Sequence, residues 1–151
     1  MRKMLAVLIT ALVVALLPTA AHAAVNFRSG PTATDLGTQL RVTGNVSGLG
    51  MGDLTAVVNA TCIATVECTN PGGNVAPGLD TEVDVSGQAS DIQVKNGRAT
   101  FNVVTAAPTV TGAEACPNPM FTARVTDVDF TSATLTLIQG GQVVFSGPVA
   151  V

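Results

Sequence analysis

Ten carboxylates, three cysteines and one histidine are the side chains in this 151-residue chain with the means to serve a reaction or a metal ion. Five of the acids fall into two alternating runs, Asp80, Glu82 and Asp84, then Asp127 and Asp129. Alternation puts each run on one side of a strand. Two carboxylates flanking a glycosidic bond can hydrolyse it, and several carboxylate oxygens can bind calcium. Glycosidases normally stack sugars on aromatic rings, however, and this chain has 5 Phe, no Trp and no Tyr. The plainer reading of alternating acids is the solvated face of a strand. The sharper one is a calcium or small-ligand site whose candidate ligands are Asp80, Glu82, Asp84, Asp127 and Asp129.

Other chemistries drop out on residue type. The single histidine, His22, belongs to an N-terminal segment expected to be removed. Without it no Ser-His-Asp or Cys-His arrangement and no histidine-ligated zinc site can be built. Three cysteines cannot form a four-cysteine zinc site. The glycine-rich stretch Gly48-Leu49-Gly50-Met51-Gly52 is too short to cradle a phosphate, and no helix pattern follows it. No catalytic residue and no cofactor is therefore expected.

The N-terminal segment carries its own signature. Arg2 and Lys3 precede an apolar run from Met4 to Leu17, broken only by Thr10, and Ala21-His22-Ala23 follows Pro18 as a small-x-small cleavage pattern. That is the layout of a secretory signal peptide over residues 1–23, and the run is short for a membrane span. Cleavage leaves 128 residues, enough for one domain with a core and too few for two. Loss of Arg2 and Lys3 takes the formal charge from −3 to −5. The remaining bases, Arg28, Arg41, Lys95, Arg98 and Arg124, are scattered along the sequence, which makes nucleic acid and anionic membrane poor partners. With no lipid-anchoring cysteine after the signal and no sorting motif, the expectation is a secreted monomer, free or loosely held at the cell surface.

Export permits disulfides. Cys62 and Cys68 lie on one strand-like stretch; at roughly 3.3 Å per residue they are about 20 Å apart, far beyond disulfide reach. Cys116 lies in a proline-rich loop, and Cys68 lies where the strand runs into Asn70-Pro71-Gly72-Gly73. Two loop-proximal cysteines make the natural pair, Cys68–Cys116, worth about 4 kcal/mol in the chain-entropy treatment of so long a loop. Cys62 is left as a buried thiol or, on the sharper reading, an intermolecular link.

The elements that hold these residues read as strands. Residues 54–69 alternate strictly, with Leu54, Ala56, Val58, Ala60, Cys62, Ala64, Val66 and Cys68 on one side and mostly polar residues on the other. So long a strand predicts a bend near Asn59–Ala60 that carries it from one sheet to another. Asn96-Gly97 is the preferred pair for a type I′ hairpin, which would set Val94 against Ala99, Ile92 against Phe101 and Lys95 against Arg98. Residues 28–34, 70–79, 86–90 and 105–119 read as loops or turns. The apolar phase of Phe121, Ala123 and Val125 flips to Val128 and Phe130, predicting a bulge near Thr126–Asp127. A last hairpin turns at Gly140-Gly141, with its register left open by Val143 and Val144. Phe101 and Phe121 are expected in the core. Seven to nine short strands without a convincing helix predict an all-β fold, an antiparallel β-sandwich of immunoglobulin-like, Greek-key type, with a closed barrel as the alternative.

The cysteine loops, Cys68-Thr69-Asn70-Pro71-Gly72-Gly73-Asn74-Val75-Ala76-Pro77-Gly78 and Ala115-Cys116-Pro117-Asn118-Pro119, together with Asp127-Val128-Asp129-Phe130-Thr131-Ser132-Ala133-Thr134-Leu135, resemble those of small secreted bacterial β-sandwich proteins of unassigned function. The resemblance implies a one-domain exported protein, supports the Cys68–Cys116 pairing and brings no catalytic residue; Cys62 departs from its pattern. The function expected is a non-catalytic adhesion, matrix or protein-binding role, with an unknown protein or cell-wall component as partner. The alternative is a calcium- or small-ligand-binding module.

Overall fold

The computed structural model describes residues 24–151; the expected signal segment lies outside the described residues. Eight strands and one turn of helix follow in order: β1 (Asn26–Asp35), β2 (Leu40–Ser47), β3 (Leu54–Thr69), β4 (Val75–Pro77), β5 (Thr81–Ile92), β6 (Arg98–Val104), α1 (Gly112–Ala115), β7 (Thr122–Gln139) and β8 (Gln142–Val149). All strand pairs are antiparallel. One sheet has the order β1-β2-β6. In the other, β3 pairs with β7, which pairs with β8, while β5 and the short β4 share the far edge of β3. Setting β4 aside, this is the immunoglobulin connectivity with the fourth strand, β5, moved from the first sheet to the second.

The two sheets enclose one core. Every second residue of β3, from Leu54 to Cys68, is buried. Leu40, Val42 and Val46 of β2, Phe101 and Val103 of β6, and Leu135 and Leu137 of β7 complete it. Phe101 pairs with Gly44 of the neighbouring strand, where a Cβ would come within 2.6 Å of the ring. Phe27 meets Phe101 edge-on at 6.4 Å and Phe145 at 4.8 Å between ring centroids. Thr105, the buried polar residue, exchanges hydrogen bonds with Leu40: its Oγ1 accepts from the Leu40 N–H and its own N–H donates to the Leu40 carbonyl. At the opposite end the Gln139 carboxamide accepts from the Gly50 N–H and donates to the Gly50 and Gly52 carbonyls, which pins the glycine-rich turn.

Several local expectations are corrected. The Asn96-Gly97 turn forms with both φ angles positive, at 51° and 70°, and Lys95 and Arg98 exchange backbone hydrogen bonds across it. Its arms then part. Ile92 pairs with Leu54 in one sheet and Phe101 with Gly44 in the other, so the turn is a corner between sheets and not the tip of a hairpin. β3 does not change sheets at Asn59–Ala60; it stays in one sheet, and the irregularities fall on its partner. Thr126 and Thr131 are extra residues of β7 relative to β3, and each hydroxyl donates to a β3 carbonyl, Thr65 and Thr61 respectively. The phase flip at Thr126 is therefore a bulge, as the sequence predicts. Residues 86–90 continue β5 because Gly87, opposite Val58, lets the end of β6 pass close by. Residues 28–34 belong to the bulged strand β1, and the two long loops contain β4 and α1. The Gly140-Gly141 hairpin forms, its register settled by a bulge at Val144.

The close approach at Gly87 is testable. A methyl there meets the backbone carbonyl of Val104, which has nowhere to go, whereas at Gly44 it meets the far end of a ring. Gly87→Ala is expected to cost about 3 kcal/mol and Gly44→Ala less, by the range for overpacked cores. Chemical denaturation of both variants checks the order.

Candidate functional site

The two acidic runs converge. β5 and β7 flank β3, and residues that pair across strands share a face. Across β3, Asp84 pairs with Thr61, Glu82 and Asp129 with Ile63, Asp127 with Thr65, and Arg124 with Glu67. Glu82, Asp84, Asp127 and Asp129 are all exposed. Four of the five candidate acids thus occupy the outer face of one sheet, joined by Glu67, which the sequence reading passed over. Asp80 immediately precedes β5 and has no partner in the ladder.

The face is ordered by its strands. Thr61 Oγ1 donates to Asp84 Oδ1 at 2.7 Å. Glu82 and Asp129 sit two strand spacings apart, about 10 Å between backbones, with the 38 % exposed Ile63 between them. Asn59, Thr61, Asp84, Ser86, Ser132 and Thr134 line a shallow polar depression beside this row. Among the described residues, no three His, Cys, Asp or Glu side chains come close enough to hold one metal ion. What the arrangement offers is a broad, solvated surface of carboxylates and hydroxyls around a central isoleucine.

The cysteines divide as expected. Cys68 and Cys116 are disulfide-bonded, with Cα atoms 5.8 Å apart. The bond anchors the segment after β6 to the end of β3, over a small apolar cluster of Ala64, Val66, Ala115 and Phe121. Phe121 therefore packs in this satellite cluster, unlike Phe101. The Gly78 and Leu79 N–H groups donate to the Val66 and Ala115 carbonyls and close the same end. In α1 the Glu114 carboxylate accepts from the Thr111 backbone N–H and hydroxyl, and these bonds hold its carboxyl below the usual range.

Cys62 is a buried free thiol on the inner side of β3. Its Sγ donates to the Val83 carbonyl at 3.3 Å. Burial raises its pKa above the ordinary thiol value, and the nearby Asp84 charge adds to the rise. A low-pKa nucleophile is the opposite environment.

No family model, curated protein or solved structure matches the chain.

Two outcomes follow from the cysteines. Because the folded thiol binds its proton more tightly than the unfolded one, Cys62 stabilises the fold below the unfolded pKa of about 8.5, and that contribution declines as pH rises toward the folded value. The chain has no tyrosine and, past Lys3, only Lys95 as a lysine, so this decline stands nearly alone in its pH range. Melting temperature should fall as pH rises above about 8.5 in the wild type and stay flatter in Cys62→Ala. Cys68→Ala and Cys116→Ala should each lower stability by about 2–4 kcal/mol, with no added effect of reductant in either variant.

Proposed function

We propose that this chain is a non-catalytic, secreted or cell-surface-associated β-sandwich with an adhesion, matrix or protein-binding role. The observation that carries the reading is the outer face of β5, β3 and β7, where Glu82 and Asp129 flank the half-exposed Ile63 and Asp84, Asp127 and Glu67 lie further along the same face. A flat face of this kind suits recognition of another surface: charges steer the encounter and a central apolar side chain supplies the contact. The buried, proton-holding Cys62 gives no nucleophile at that face. The N-terminal sequence pattern supports export, and the Cys68–Cys116 bond suits an oxidising compartment.

The test is retention on washed envelope of the producing cells. Labelled protein should bind saturably, and Ile63→Ser with Glu82→Gln should weaken binding by tenfold or more at unchanged melting temperature. Absence of saturable binding to envelope and matrix material, or turnover of a glycoside lost in Asp129→Asn, would overturn the reading. A rise of several degrees in melting temperature with millimolar calcium would favour the ligand-binding alternative over it.

A further inference from the structure

Three of the five bases beyond the N-terminal segment, Arg41, Lys95 and Arg98, share one face of the fold. On the sheet β1-β2-β6, the residues of β2 that alternate with buried Leu40, Val42 and Val46 point outward, Arg41 among them. Arg98 pairs with outward Ser47, and Lys95 pairs with Arg98, so both lie on the same face as Arg41, at the other end of the β2–β6 ladder. The outward positions of β2 and β6 hold no acid. The opposite face of the sandwich carries Glu67, Glu82, Asp84, Asp127 and Asp129 against the single Arg124. One sandwich therefore presents a basic face and an acidic face on opposite sides. Each has an exposed apolar residue beside its charges: Val104, 37 % exposed and paired with Arg41, and Ile63, 38 % exposed between Glu82 and Asp129.

We infer that the partner of the acidic face is the basic face of a second copy of this chain. The inference rests on the surface-recognition reading above and names its occupant. Charge complementarity brings Arg41, Lys95 and Arg98 of one copy over the carboxylates of the next, with Val104 and Ile63 as the apolar contact. The two faces lie on opposite sides of one molecule, so the contact is heterologous, and each added copy buries one of its faces and exposes the other. The growth is an open head-to-tail stack. Three strands of about eight residues offer roughly 400 Å² per face, half of the about 800 Å² per partner in a stable complex. The contact is accordingly weak and sensitive to salt, and a monomer predominates when the protein is dilute.

Sedimentation velocity of the purified protein over a concentration series tests this. At 50 mM salt the sedimentation coefficient should rise with concentration without stopping at a dimer, and the association constant should fall at least tenfold at 500 mM. Glu82→Lys with Asp129→Lys, and separately Arg41→Glu with Arg98→Glu, should each leave a monomer. Mixed together, those two variants should form a one-to-one pair and nothing larger, because one native face of each kind remains. The neutral pair Glu82→Gln and Asp129→Asn gives the same loss should the reversals fail to fold. A chain that is monomeric throughout at 50 mM salt, association untouched by either variant, or a mixture that does not pair would each overturn the inference. Envelope binding that persists in a strictly monomeric protein would overturn it while leaving the surface-recognition reading in place.

Discussion

Strand β3 has hydrogen-bonded neighbours on both sides along nearly all of its sixteen residues, and that double pairing places everything else. β7 follows it from Thr69 back to Leu54; β5 and then β4 take the other edge. Its strict alternation makes one side core and the other side surface. A slip of one residue would exchange Ala56, Val58 and Ala60 for Val57, Asn59 and Thr61 and expose the core. The pairing also creates the acidic face. Two runs of acids 43 residues apart, at Asp84 and Asp127, meet only because both host strands lie against β3.

The strain of so long a ladder is taken up by the neighbour. β3 stays regular, while β7 adds Thr126 and Thr131, each returning a hydroxyl to a β3 carbonyl. Bulges increase local twist, and a pair of them lets an eighteen-residue strand follow a twisted sheet without losing its register. The irregularity at Thr126 is marked in the sequence by the change of apolar phase, whereas the bend expected in β3 at Asn59–Ala60 is absent. An alternating strand gives no sign of which member of a pair will bend.

Legibility tracked the range of the interaction. β3, the Gly140-Gly141 turn and the phase change at Thr126 are written in neighbouring residues, and the structure contains them. The disulfide was readable because Cys62 and Cys68 exclude each other and, of the two, only Cys68 lies beside a loop as Cys116 does. The destination of the Asn96-Gly97 arms was not readable, because a type I′ turn fixes backbone angles and says nothing about which sheet each arm joins. Ser86-Gly87-Gln88 resembled a turn because glycine signals one locally. Here it answers a distant need, space for Val104. The acidic clusters were seen, but their shared face, the role of Glu67 and the opposing basic face all depend on strand order.

The corner at Asn96-Gly97 sets the order in which the molecule can be assembled. β1 and β2 are consecutive, yet β2 completes its sheet only with β6, where Val42 meets Val103 after 61 intervening steps of chain. During synthesis from the N-terminus, the β1–β2 pair therefore waits with one edge of β2 unpaired until β3, β4 and β5 have emerged and β6 arrives, and with Leu40, Val42 and Val46 uncovered until the other sheet packs on them. Closure over such a distance is slow, and an uncovered apolar sheet is open to wrong partners while it waits. The outward side of that waiting pair carries Arg41 and hydrogen-bonding residues in place of apolar ones, so its hazard is confined to the side that β3 will cover.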